Sequence, residues 1–320
     1  MVRTSFGFLA RTFWLAVCLG APARAADLQV VAPAIPGSSW DQVAQVVKAA
    51  AAALPGGTAF VTNVPGSSGT VGLARFVAEA GDDALLVTGS TMLAGTLVHR
   101  SPVTLEGMTP IARLAAEPFA VVVPAESPLR TVSDLRGELG TDAARVGWAG
   151  GPVGGVDHVA TIRLAEAFGV DPAKLNYAPF LTSAEAAAAV AENRVGVAVL
   201  ALGEVAADLD GGRLRALAVA AEARMDGVDA PTLAEGGIDL EIANWRGLVA
   251  RPGLPPERQG EFASLAADVL GTADLRAILA RKRWRSAFLP PAEFGAFIRG
   301  EHARAKRALK AAGILKRTED

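Results

Sequence analysis

Asn63-Val64-Pro65-Gly66-Ser67-Ser68-Gly69-Thr70-Val71-Gly72 is the stretch that decides the fold. An apolar run, Ala59 to Val61, precedes it, and a helical pattern, Val71 to Ala80, follows. A polar, Gly-rich loop between strand and helix is the ligand-facing turn of an open α/β sheet. Glycine lets backbone amides approach a guest, and the N-terminus of the next helix carries partial positive charge, so the loop suits a carboxylate or phosphate. The same succession surrounds Pro36-Gly37-Ser38-Ser39-Trp40-Asp41, between Leu28 to Ala32 and Asp41 to Leu54. It returns at Ala149-Gly150-Gly151-Pro152-Val153-Gly154-Gly155-Val156-Asp157-His158, between Arg145 to Trp148 and Val156 to Phe168, and a shorter loop, Gly89-Ser90-Thr91, follows Ala84 to Thr88.

None of these loops is a nucleotide fingerprint: glycines 66, 69 and 72 are spaced G-x-x-G-x-x-G, and no Lys-Ser/Thr pair follows. Gly66-Ser67-Ser68-Gly69 is also one residue short of the G-x-S-x-G nucleophile elbow. A hydrolase built on Ser67 or Ser68 is disfavoured, and no catalytic residue is assigned. Asp157 and His158 open a helix, where bracing the loop and touching a ligand are equally good readings. Trp40 and Trp245 serve as core aromatics or as pocket walls.

Outward from the loops, strands alternate with Ala-rich helical stretches, which predicts an α/β fold with largely parallel sheets. The rhythm resumes between Arg145 and Ala220 as a second α/β unit. Phe119-Ala120-Val121-Val122-Val123-Pro124 and Gly247-Leu248-Val249-Ala250-Arg251-Pro252 read as two strands crossing between the units. Residues 27–123 with 246–320 then form domain 1, and 124–245 form domain 2. After Pro256 the pattern is helical to the end, over Glu257 to Leu270, Ala273 to Arg281 and Ala292 to Ala312, and these helices are expected on domain 1. Their Lys and Arg residues read as a solvated face.

The 320 residues are 51% hydrophobic and 20% charged, the composition of a globular chain. Thirty-one Lys and Arg against 33 Asp and Glu leave no basic footprint for nucleic acid. One cysteine and three scattered histidines, His99, His158 and His302, leave no spaced metal pattern. Residues 1–26 read as a secretory signal peptide, with Arg3, Arg11, an apolar run from Phe13 to Gly20 and Ala23-Arg24-Ala25 before the cut. The apolar run is far short of a membrane span. The expected product is an exported, periplasmic protein without a thiol. Few nucleotide cofactors are available in that compartment, and none is called for.

At these loops the chain resembles the periplasmic substrate-binding proteins of tripartite tricarboxylate transporters, within the larger family of Bordetella uptake gene receptors. The resemblance runs from about Leu28 to Leu315. It rests on Pro36-Gly37 through Trp40-Asp41, Thr62 through Gly72, Ser101-Pro102-Val103-Thr104-Leu105, Thr109-Pro110-Ile111-Ala112-Arg113-Leu114, Gly154-Gly155-Val156-Asp157-His158 and Ala243-Asn244-Trp245-Arg246-Gly247. It implies a two-domain, type II-like Venus-flytrap fold that holds a small di- or tricarboxylate and delivers it to a large and a small membrane subunit. The alternative within the resemblance is a co-sensor that presents the carboxylate to a two-component histidine kinase. Carried over residue by residue, it implies ligand contacts at Ser38, Ser39, Trp40 and Asp41, at Gly66, Ser67, Ser68 and Gly69, at Thr91, and at Gly150, Gly151, Gly154, Gly155 and His158. Phe180-Leu181-Thr182-Ser183 departs from the family, where a Gly-rich stretch is usual.

Overall fold

Leu28–Ala32 (β1), Ala59–Asn63 (β2) and Ala84–Gly89 (β3) run parallel in the order β2-β1-β3. Parallel neighbours need a crossover, and Ser39–Ala52 (α1) and Thr70–Glu79 (α2) supply the two here. α1 buries Val43, Ala44, Val46 and Val47 against the sheet, so the spacing of three and four read in the sequence is the stripe that docks it. The computed structural model describes residues 27–316; the signal-peptide reading of residues 1–26 falls outside them.

β3 passes directly into Ser90–Val98 (α3). Thr109–Pro124 (β4) then runs for 16 residues. Its first part pairs antiparallel with Ala243–Ala250 (β9), which also pairs with β3. Its second part pairs antiparallel with Val197–Ala201 (β7) and Leu214–Val219 (β8). Pro118 opposite Ala243 is the last pair with β9, and Phe119 opposite Ala201 is the first with β7. One strand therefore belongs to two lobes.

The second lobe adds Gly147–Gly150 (β5) and Asn176–Pro179 (β6), parallel to each other, with β7 on the other side of β5. Val132–Asp142 (α4), Val156–Ala167 (α5), Ser183–Ala191 (α6) and Leu202–Asp210 (α7) cover it. Strand alternation sends Phe119, Val121 and Val123 to one face with Trp148, Val197 and Val199, and Ala120 and Val122 to the other with Ala149, Ala198 and Leu200. Both faces are covered, which is why these strands read as continuous apolar runs.

The C-terminal segment departs from its all-helical reading. Pro256–Leu270 (α8) and Ala273–Lys282 (α9) are helices, but Arg283 ends α9 in the left-handed region at φ 53°, and Arg285–Leu289 (β10) pairs antiparallel with β4. Five residues cannot be told apart by apolar spacing, and tertiary pairing decides them. Pro291–Ala311 (α10) closes the described chain. It packs on the first lobe through Phe294 and Ile298, and its Ala308 and Leu309 also cluster with Ile162 of α5 in the second lobe. Arg163 of α5 lies 3.7 Å from Glu301 of α10. No helix among the described residues is long and apolar enough to cross a membrane.

Candidate functional site

The Pro36–Asp41 loop is a braced turn. Ser38 caps α1 by accepting the Asp41 amide at 3.2 Å, and Asp41 in return accepts the Gly37 amide at 2.8 Å and the Asn63 side-chain amide at 3.0 Å. Burial alone would raise the Asp41 pKa, but these donors and Gln45 together hold it below the usual carboxylate value. The carboxylate thus ties the first loop to the end of β2.

At the head of α2, Ser67 and Ser68 both occupy the left-handed region, at φ 43° and 57°, between Gly66 at φ 139° and Gly69 at φ 88°. Two non-glycine residues in succession there store of order 1 kcal/mol or more each. The turn closes with the Gly69 amide on the Gly66 carbonyl at 2.8 Å, and both serines are exposed. Trp40 lies behind this turn: a Cβ added at Gly69 would sit 2.7 Å from its ring.

In the second lobe, Gly151 is held from both sides. Its amide donates to Asp157 Oδ2 at 3.0 Å, and its carbonyl accepts the Tyr177 hydroxyl at 2.9 Å. Ser183 of α6 donates to the same Asp157 oxygen at 2.7 Å. His158 Nδ1 accepts the Gly154 amide at 3.1 Å, and its ring stacks on Tyr177 with centroids 3.7 Å apart. The bond leaves the imidazole proton on Nε2, consistent with burial lowering the His158 pKa to about 4. Burial raises Asp157 to about 6 against the pull of Ser183 and Gly151, with Glu204 and Glu117 adding to the rise, and it raises Tyr177 as well.

Between the two lobes lies a cleft of about 460 Å³. Ser67, Ser68 and Thr91 face it from the first lobe, and Gly151, Gly154 and Gly155 from the second. The remaining expected residues stand behind that lining. Ser38, Ser39 and Asp41 shape the first loop, Trp40 supports Gly69, Gly66 and Gly69 frame the serine turn, Gly150 lies against Tyr177, and His158 positions Gly154. Trp245 is a core residue set edge-on against Phe294 and Phe297. The structure adds lining residues that were not nominated: His99, Asp157, Thr182, Ser183, Glu204 and Asn244. Ser183 and Asn244 stood in quoted segments, but nothing in their spacing says that they meet; Glu204 gave no sequence signal.

The helices explain what the cleft can hold. Ser67 and Ser68 stand at the N-terminus of α2, Thr91 at that of α3, Gly155 and Asp157 at that of α5, Ser183 at that of α6 and Glu204 at that of α7. Five N-termini border one cavity; the first amides of a helix have no partner within it, and its N-terminal end carries partial positive charge. No Lys or Arg lines the cavity, so backbone amides, hydroxyls and the side chains of His99 and Asn244 are its donors for an anion.

Comparison with known proteins agrees with the geometry. Residues 43–314 match the family of tripartite tricarboxylate transporter receptors, TctC. A curated relative from a Pseudomonas species, described as a UPF0065 protein in the tcbD-tcbE intergenic region, is 26% identical over 232 residues, covering 70% of this chain and 68% of its own. A TctC solute-binding protein from Polaromonas superposes with a TM-score of 0.79 at 27% identity, covering 91% of this chain and 99% of its own. MatC from Rhodopseudomonas palustris, solved with bound malate, shares the fold at 22% identity and a TM-score of 0.68 over 90% of this chain and all of its own (100%). Another protein from that organism, solved with adipate, does so at 24% identity and a TM-score of 0.71, covering 91% of this chain and 98% of its own. With its two-domain periplasmic-binding-protein fold and a family match over most of its length, the chain belongs to the tripartite tricarboxylate transporter receptor family of solute-binding proteins.

Proposed function

We propose that the protein is an extracytoplasmic receptor that binds a small carboxylate, of the size of a di- or tricarboxylate, and delivers it to the large and small membrane subunits of a tripartite tricarboxylate transporter. The convergence of five helix N-termini on a cleft without Lys or Arg carries this reading. A volume of about 460 Å³ lies in the range of small-ligand pockets. The two lobes, which meet on β4 where Phe119 takes over from Pro118, close over the guest. Contacts made only in the closed arrangement shift a pre-existing equilibrium toward it.

Binding is the whole activity. Ser67 and Ser68 lack the nucleophile-elbow spacing, and His158 is held out of the general-base role, its Nδ1 engaged by Gly154 and its ring stacked on Tyr177. The geometry gives no separate support to a sensor kinase as partner. The reading is tested by unfolding and refolding the purified protein to strip any bound guest, then titrating malate, adipate, succinate and citrate by calorimetry. Micromolar binding of at least one supports the reading, and silence of all four, together with silence of amino carboxylates of the same length, overturns it.

A further inference from the structure

The two sides of the cleft differ in charge. On the first-lobe side, the helices that line it, α2 and α3, carry no acidic residue in their first turns. On the second-lobe side, every lining helix carries one: Asp157 on α5, Glu185 on α6 and Glu204 on α7. A carboxylate in the first turn offsets the positive end of its own helix. Anion attraction is therefore concentrated at Ser67, Ser68 and Thr91, while the opposite wall presents acceptors.

Two of those acceptors reach the cavity. Asp157 is only 3% exposed, yet it lines the cleft, and its two hydrogen bonds, from Gly151 and Ser183, both go to Oδ2. Among the described residues, no hydrogen bond is formed to its Oδ1. Glu204 lines the same wall, and the charges of Asp157 and Glu204 repel. No Lys or Arg on the lining answers either one. A second carboxylate of the guest placed here would face two like charges in a partly desolvated site, whereas an ammonium would be stabilised by both.

We propose that the preferred guest is an amino carboxylate, with its carboxylate on the α2 and α3 termini and a protonated amine against Asp157 Oδ1 and Glu204. This rests on the receptor reading above and narrows its ligand class. The guest spans the cleft with charge matched at each end, and Asp157 and Glu204 set the specificity.

Matched pairs test it on the refolded full chain at pH 7.5: succinate against 3-aminopropanoate, and glutarate against 4-aminobutanoate, each pair exchanging one carboxylate for an ammonium. In at least one pair the amino member should bind about tenfold or more tightly by calorimetry, and Glu204→Gln should shrink that preference. Asp157→Asn, with its fold checked by circular dichroism, should remove the preference. Tighter or equal binding of the dicarboxylate in both pairs overturns the inference and leaves the receptor reading standing. Silence of all four pair members, with malate or adipate bound, overturns the inference alone; silence of malate, adipate and citrate as well overturns both.

Discussion

Arg246 on β9 and Glu117 on β4 form an ion pair at 2.9 Å with only 5% and 4% of their side chains exposed. The Arg246 guanidinium lies 3.7 Å over the Trp284 ring and donates to the Asn244 carbonyl at 2.9 Å. Glu117 stands two residues before β4 exchanges β9 for β7 as its partner, so the pair locks the strand crossing next to the cleft-lining Asn244. Ser90 adds a second clamp, accepting the Trp245 amide at 2.9 Å and donating to the Ala243 carbonyl at 3.2 Å.

A buried pair is expensive to break and cheap to replace whole. Arg246→Met should lower the unfolding free energy by about 3–5 kcal/mol, because it strands the Glu117 charge. The double variant with Glu117→Leu should regain most of that loss. Urea denaturation of the two single variants and the double gives the cycle, and simple additivity of the losses would show that the ion pair carries no coupling.

Gly69 is expected to be intolerant for a reason the loop alone does not give. At φ 88° a side chain is strained, and its Cβ would press on the Trp40 ring at 2.7 Å. Gly69→Val should cost about 2 kcal/mol or more in stability and distort the serine turn. Ser67→Ala should cost only about 1 kcal/mol in carboxylate affinity, the scale of one neutral hydrogen bond. Calorimetry and thermal melts of both variants measure the contrast; a Gly69→Val protein as stable as wild type would contradict this packing.

Asp157 and His158 oppose each other in acid. His158 falls from 6.5 to about 4 on folding, so its share of stability is present above pH 6.5 and is lost as pH drops through 4. Asp157 rises from 3.8 to about 6, so its share is present below pH 3.8 and is lost as pH climbs through 6. Between pH 6.5 and 4 the two trends oppose each other, each worth on the order of 3 kcal/mol. Asp157→Asn should therefore lose more stability than wild type on going from pH 7 to 4.5, and His158→Gln should lose less. Denaturant midpoints at the two pH values decide it; parallel curves for all three proteins would contradict the assignment.

Gly154 meets the first lobe directly. Its φ is 77°, and a Cβ there would lie 2.5 Å from Val98 Cγ2 at the end of α3. Gly154→Ala should lift the second-lobe loop from α3 and weaken carboxylate binding by roughly tenfold, about 1.4 kcal/mol. Adding Val98→Ala should recover part of that loss, since it removes the steric share and leaves the backbone share. Unchanged affinity in Gly154→Ala, measured by calorimetry, would show that α3 does not seat the loop.

The sequence by itself determined the α/β class and the strand-loop-helix turns. Apolar periodicity and glycine placement are local properties: Leu28 to Ala32, Ala84 to Thr88 and Val195 to Leu200 fall on strands β1, β3 and β7, and the Gly-rich loops fall at helix N-termini. It also marked Ser67, Ser68, Gly151, Gly154 and Gly155, which share one cleft in the structure. Short elements not set off by a Gly-rich loop escaped it, such as β10 and α7, because five to nine residues carry too few turns of either period and nothing marks where they begin.

Only the tertiary structure decided which loop residues face the cleft and which support it. Trp40, Asp41 and His158 look like ligand groups in a linear motif; in the fold each is nearly buried and turns its polar atoms or its ring to neighbouring residues of the protein. Glu204 and Asn244 join the wall from elements far apart in the chain, and the bond between Ser183 and Asp157 spans 26 residues. Such meetings depend on how β4 and β9 bring two lobes together. Chain pattern sets the faces of each element, but long-range pairing sets which faces confront each other across a cavity.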